Sequence, residues 1–155
     1  MMLLQSGQWL GRGSLLPEGL SRGTPITCEA RVDRDEAGAT LTGHWQLAEQ
    51  EAREFVVRVA GDDAGTYSLS LRLAALQLHG TAKLDSPPNL GLLWNDAGNL
   101  HATFSLFAVA AGYGCRGFVR QHGSRVSLYT WEIAFSLKQS LVQGDNVVSL
   151  HRRRR

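Results

Sequence analysis

The sequence predicts an all-β protein that folds as a single antiparallel up-and-down β-barrel of about eight to ten strands. Segments in which apolar and polar residues alternate recur at short intervals, and residues typical of turns separate them. Seventeen glycines against four prolines suit a chain with many tight turns. The first segment, Gly7-Gln8-Trp9-Leu10-Gly11-Arg12-Gly13, brackets a tryptophan with glycines, as the closed end of a small barrel requires. A Greek-key sandwich has the same periodicity, so closure of the barrel is an inference from the sequential strands.

The strands are placed by alternation and by the breaks between them. Tyr67 to Leu73 is one of the clearest, since tyrosine and leucines alternate with serines and an arginine. Tyr129 to Leu137 places its aromatic and aliphatic residues on one side in the same way. In chain order eleven candidate strand segments, one more than the largest barrel predicted, cover 7–15, 26–33, 41–45, 55–59, 67–73, 76–84, 90–94, 102–108, 115–121, 125–137 and 146–152.

Turn residues mark the ends of these strands. The runs 35–38, 61–65 and 95–99 contain Asp, Asn and Gly, and Pro87 and Pro88 stop the segment that ends at Leu84. Only two stretches, 46–53 and the region around 138–142, have any helical character. We therefore predict a single β-barrel domain over 1–151 and a basic tail over 152–155.

Composition and charge exclude several functional classes. Hydrophobic residues make up 43% and charged residues 19% of the 155 residues, which is typical of one globular domain and not of a disordered chain. Removing the four arginines 152–155 from the net charge of +2 leaves −2, so the body of the protein is not a basic nucleic-acid platform.

The apolar runs and the cysteine count also indicate the cellular compartment of the protein. There is no basic region before the short apolar start, and no run of about 20 apolar residues that could cross a bilayer. Two cysteines in a chain of this length do not make a disulfide scaffold. We expect a cytoplasmic protein with reduced thiols, no nucleic-acid partner and no membrane insertion.

The Gly7-x-Trp9 motif resembles the first strand of the calycin superfamily, which includes lipocalins, fatty-acid-binding proteins and avidins. The extension Trp9-x-Gly11-x-Gly13 is similar to the opening of nitrobindin-like domains. The resemblance implies a lipocalin-like barrel in which Gly7 and Trp9 form a structural barrel end and Arg152, on a last strand, packs across the indole ring. It covers the motif, the strand count and the length. The helical lid of fatty-acid-binding proteins and the tryptophan-rich biotin motifs of avidins have no counterpart, and His151 lacks the neighbours of a nitrobindin haem ligand.

The leading functional hypothesis is a small, mostly apolar ligand held inside the barrel against apolar and aromatic side chains. Trp9, Trp45, Trp94 and Trp131 are candidates for either this pocket or the core. The expected ligand-binding residues line one face of three strands and are Tyr67, Leu69, Leu71, Phe104, Tyr129, Trp131, Ile133 and Phe135.

No catalytic, metal or cofactor site is predicted. The five histidines are scattered without metal-ligand spacing. Cys115 beside Arg116 would be a nucleophile if the thiol were exposed, and a small buried side chain otherwise. Glu132 alternates with Trp131 and is expected to face solvent.

Two alternatives stay open. The protein could be an isomerase or lyase on the same scaffold, with ionisable groups drawn from Arg58, Arg72, Tyr113, Arg116, Arg120 and Glu132. It could instead be an interaction or oligomerisation module, a homodimer for example, that uses outward apolar residues such as Val56 and Leu128.

Overall fold

The computed structural model describes residues 5–61 and 65–138, and this part of the chain contains ten strands. Alternating sequence segments with turn residues between them produce a meander with short connections. In order, the strands are β1 (Gly7–Pro17), β2 (Thr24–Arg34), β3 (Gly38–Leu47), β4 (Arg53–Gly61), β5 (Thr66–Leu73), β6 (Leu76–Lys83), β7 (Asn89–Trp94), β8 (Leu100–Val109), β9 (Gly112–Gln121) and β10 (Ser127–Leu137).

Each strand pairs antiparallel with the next, and β1 closes the barrel on β10. The closing register runs from Trp9 opposite Leu137 to Pro17 opposite Tyr129. Closure removes the unpaired backbone groups of sheet edges. The prediction of an all-β, up-and-down barrel is therefore confirmed, and a sandwich is excluded.

Most of the expected strands are found, with bounds that differ by a few residues. The helical character of 46–53 does not produce a helix, because β3 continues to Leu47 and a turn leads into β4 at Arg53. Alternating neighbours on both sides favour continued pairing over a helix too short to be stable alone. The expected strand at 146–152, nearly all of the 138–142 stretch, and the domain boundary at 151 lie outside the described residues.

The strands are strongly tilted about the barrel axis. The tilt can be followed along a row of inward-facing residues that pair across successive strands. The row starts on β3, next to the β2–β3 turn at one end of the barrel. It ends on β1, next to the β1–β2 turn at the opposite end. The row consists of Ala39, Val59, Leu69, Gly80, Leu93, Ala102, Val119, Tyr129 and Pro17. We call the end formed by the connections after β1, β3, β5, β7 and β9 the Tyr129 end, and the other the Trp9 end.

The buried side chains form two clusters on the inner wall. One is built mainly on β4 to β8 around Val59, Leu69 and Leu78. The other contains Trp9 and Phe55 together with small residues of β2 and β3. Leu41 and Val57 pack against both clusters.

Trp9 lies on the inner wall and is only 8% exposed. Its Nε1 atom donates a hydrogen bond to the carbonyl oxygen of Gln5 at 2.9 Å, and its ring is tilted against Tyr113 with centroids 6.0 Å apart. Gly7 has a φ of +137°, which a residue with a side chain rarely adopts. Arg152, the partner implied by the resemblance, lies outside the described residues.

Gly13 is needed for a different reason from Gly7, namely the close approach of β1 and β10. A Cβ atom at Gly13 would overlap the carbonyl oxygen of Glu132 on β10. The closing strands approach so closely there that only glycine fits.

Trp9→Ala is expected to lower the free energy of unfolding by about 3–5 kcal/mol, because it empties a buried aromatic site. Trp94→Ala is the matched control, since Trp94 faces outward and is 39% exposed, and it should cost less than about 1 kcal/mol. Urea unfolding of the two variants measures both values. Equal losses would contradict the assignment of Trp9 to the core.

Candidate functional site

All eight residues expected to line a cavity occupy inward-facing positions on their strands. Leu69 is buried, and six are half-buried: Tyr67, Leu71, Phe104, Trp131, Ile133 and Phe135. Tyr129 is the exception at 44% exposure, because it stands at the rim of the Tyr129 end. The fold thus brings the set together on one continuous surface, with one member at its mouth.

The aromatic rings of this wall lie over glycines. Phe104 is paired with Gly91, Trp131 with Gly117 and Phe135 with Gly11, each directly across from its glycine on the neighbouring strand. A Cβ atom added to any of these glycines would overlap the ring of its partner. Tyr67 covers Gly61 in the same way. The rings therefore lie along the wall and do not extend towards the barrel axis.

Many inward-facing side chains stay accessible as a result. No large side chain in the described ranges is completely buried, although these residues point into a closed barrel. Eight strands leave an interior just wide enough for side chains to fill it or for one small ligand, and ten strands enclose more space.

The inner wall is almost free of charge. At the inward-facing positions of the described strands there is no Asp, Glu, Lys or His. Two arginines occupy inward-facing positions by alternation, and both lie at strand ends. Arg34 is the last residue of β2, and Arg53 is the first residue of β4. The guanidinium carbon of Arg53 lies 6.0 Å from the ring centroid of Trp45.

Trp45 carries an unpaired polar group. Its Nε1 atom is buried and has no hydrogen-bond partner, the one such side-chain atom recorded for the described residues. An unpaired buried donor costs about 1–3 kcal/mol. The neighbouring indoles differ, since Trp9 donates to a carbonyl and Trp131 donates to Cys115 Sγ at 3.4 Å.

The two cysteines are free and lie on the inner wall. Burial raises the pKa of the Cys115 thiol, and the hydrogen bond from Trp131 only partly opposes that shift. Burial, with a smaller contribution from Glu29, raises the pKa of Cys28 to about 11. Of the two alternatives for Cys115, the structure shows the small buried side chain. Arg116 faces outward and pairs with Glu132 at 3.0 Å, away from the thiol.

Most of the ionisable groups considered for an enzyme face solvent. Glu132 is outward, as expected, and Arg120 stacks on Phe118 at 4.6 Å. Arg58 pairs with Asp35 at 2.9 Å, and the hydrogen bond that it donates lowers the pKa of that carboxyl. Of the six residues, only Tyr113 points inward, as its contact with Trp9 requires.

The described histidines are also outside the barrel. His44 and His79 contact Glu54 and Asp96 at 3.7 and 3.4 Å. The rings of His101 and His122 lie 5.8 Å apart on the outer surface. Within 5–61 and 65–138 no three His, Cys, Asp or Glu side chains form a group that could hold a metal ion.

Two grooves on the outer surface were not predicted. The larger, about 620 Å³, crosses β1, β10, β9 and β8 towards Leu90, and on β8, β9 and β10 two outward residues flank an inward one, as Arg116 and Phe118 flank Gly117. The smaller, about 440 Å³, crosses β1 to β4 in the same manner. The expectation that Trp94 belongs to a pocket or to the core is wrong, because it alternates with the inward Leu93.

No protein-family model, curated protein or solved structure matches the chain. Nothing in the described residues forms a helix of the length and apolarity that a membrane crossing needs.

The raised pKa of Cys28 has a measurable consequence. Between pH 9 and about pH 11 the unfolded chain releases the thiol proton and the folded chain retains it, so the free energy of unfolding falls as the pH rises. Over this window the wild type should lose about 2–3 kcal/mol more than Cys28→Ala. Urea unfolding at several pH values tests this, and parallel curves for the two proteins would contradict it. All other groups are common to the two proteins, so their contributions cancel in the difference.

Proposed function

We propose that the protein binds a small, neutral, mostly apolar molecule in the interior of a lipocalin-like barrel. The observation that carries the proposal is the pairing of inward aromatic rings with glycines, which keeps the rings along the wall. Apolar and aromatic walls of this kind are typical of ligand pockets. Every 100 Å² of apolar surface that the ligand buries would contribute about 2.5 kcal/mol to binding.

Neutrality of the ligand is inferred from the wall. A carboxylate in the middle of the barrel would have no cationic partner, since the arginines with the inward alternation stand at strand ends. An unpaired charge in such surroundings is strongly disfavoured. The indole of Trp45 is the donor best suited to a neutral acceptor such as a carbonyl oxygen.

The closed ten-strand barrel is compatible with the calycin class, and the Gly7-x-Trp9 motif supports that assignment. Two free thiols on the inner wall suit the reducing cytoplasm. An enzyme on this scaffold is less well supported, because Tyr113 is the one member of its proposed ionisable set that faces inward.

Filling the lumen should abolish binding. Prodan, a neutral fluorescent ketone, is expected to bind the wild type with one site and a blue-shifted emission. Ile133→Trp places an indole inside and should weaken this binding by at least about tenfold, because the added side chain occupies space that the ligand needs. Ala134→Trp adds a larger side chain on the outer face of the same strand and should leave binding unchanged.

Circular dichroism shows whether both variants fold, and Leu71→Trp repeats the test from the opposite wall should Ile133→Trp unfold. Absence of prodan uptake by the wild type would contradict the proposal. Equal affinities in the two β10 variants would place the probe on the outer surface.

Trp45→Phe tests the hydrogen-bond donor. The substitution removes Nε1 and keeps an aromatic ring, so it should weaken prodan binding about fivefold. Binding of N-phenyl-1-naphthylamine, a neutral probe without a carbonyl group, should change little. Equal losses for both probes would show that Trp45 contributes only shape.

A further inference from the structure

The outer face of β7 is apolar and uncovered. Leu90, Leu92 and Trp94 alternate with the inward Gly91 and Leu93 and are 47%, 52% and 39% exposed. A strand that is apolar on both faces is expected between two packed layers, yet no element covers this one among the described residues. We call these three outward side chains the β7 patch. Contiguous exposed apolar side chains of this kind mark interaction sites.

The outward positions of the strands around the β7 patch carry charges of one sign. Outward positions on β5 to β9 hold no carboxylate, and their basic residues are Arg72, His79, Lys83, His101, Arg116 and Arg120. Lys83 adjoins Leu90 across the β6–β7 pair, and its ammonium group is bound only to the carbonyl oxygens of Ser86 and Pro88 in the recorded contacts. The nearby carboxylates lie outside these strands and each has a partner. Asp85, in the β6–β7 connection, accepts a hydrogen bond from the Tyr67 hydroxyl at 2.6 Å, Asp96 contacts His79, and Glu132 on β10 contacts Arg116.

The opposite side of the barrel is different. Outward positions on β1 to β4 mix both signs, with Glu29, Asp33 and Glu54 among Arg12, Arg31 and Arg58. On this side, opposite charges lie close together and offset each other, as Arg31 and Asp33 do at 3.2 Å. The protein therefore has one basic and apolar side and one mixed side.

We propose that the side centred on the β7 patch docks on the surface of an anionic lipid bilayer. The leucines would enter the boundary between headgroups and acyl chains, and Trp94 would lie at the interface, where indole rings are favoured. Lys83 and Arg120 are long enough to keep their charges among lipid phosphates while their methylene stems cover apolar surface. Phe118, under the guanidinium of Arg120, extends the apolar surface next to the larger groove.

Charge complementarity selects this occupant. In a symmetric dimer through the same face, the basic residues of one copy would approach those of the other. A bilayer with acidic lipids offers diffuse negative charge and a deformable apolar layer, which three shallow side chains can enter without a preformed pocket. This interaction is independent of the proposed interior ligand.

Sedimentation with lipid vesicles tests the proposal. The wild type should bind phosphatidylcholine vesicles that contain about one third phosphatidylserine, and should bind pure phosphatidylcholine far less. Lys83→Gln with Arg120→Gln should weaken binding about 25-fold, at about fivefold for each cation removed. Arg12→Gln with Arg31→Gln, the matched control on the mixed side, makes the same change in net charge and should leave binding nearly unchanged.

A second pair of variants tests the apolar contribution. Leu90→Ser with Leu92→Ser should weaken binding about tenfold, and Val56→Ser, an exposed outward valine on β4, should not. Emission from the wild type should shift to the blue on anionic vesicles, and Trp94→Phe should lose that shift. Because all four residues face outward, melting temperatures should stay close to that of the wild type.

The proposal is overturned if the wild type does not bind anionic vesicles, if it binds neutral vesicles equally well, or if the control variants lose as much as the test variants. Binding of poly-glutamate as tight as that of the vesicles, without a shift in Trp94 emission, would identify an acidic polypeptide as the partner and would also overturn it. The vesicle measurements do not depend on prodan binding, because the lumen variants leave the outer surface of β7 unchanged. Either proposal can therefore be contradicted without the other.

Discussion

The pairing of aromatic rings with glycines on adjacent strands is the interaction on which the inner architecture depends. Phe104, Trp131 and Phe135 each lie over a glycine directly across the sheet. The ring gains contact with the exposed backbone, and the glycine gives the ring room to lie along the wall. A side chain at any of these glycines would push the ring towards the barrel axis. Large and small residues therefore alternate around the inner wall at these positions.

This arrangement divides the chemistry of the chain between two surfaces. Apolar groups, two thiols and the tyrosines face inward, whereas charged side chains face outward or stand at strand ends. The division explains why the Cys115 thiol is protonated, since burial penalises the thiolate and the adjacent Arg116 lies on the other side of the sheet. It is also the reason for proposing a neutral ligand and not an acid.

Strand positions and facing residues could be predicted from the sequence, because alternation reports directly on a half-buried strand. The inward faces of β5 and β10 followed from Tyr67 to Leu73 and from Tyr129 to Leu137. Alternation does not fix which face is inside when both are apolar, so the outward position of Trp94 was missed. The partners of Cys115 and the glycine under each ring depend on the register between neighbouring strands. The alternation of residues within a single strand does not reveal that register.

A single layer of backbone separates the outer groove from the lumen. Gly117 and Trp131 belong to the inner wall, yet the same row forms the floor of the larger groove, between the outward Arg116 and Phe118. Leu90 of the β7 patch borders this groove. Any molecule held against the outer surface there lies one sheet thickness from the indole of Trp131. Because Gly117 provides no side chain at the centre of that row, only the backbone and the indole of Trp131 lie between the two surfaces there.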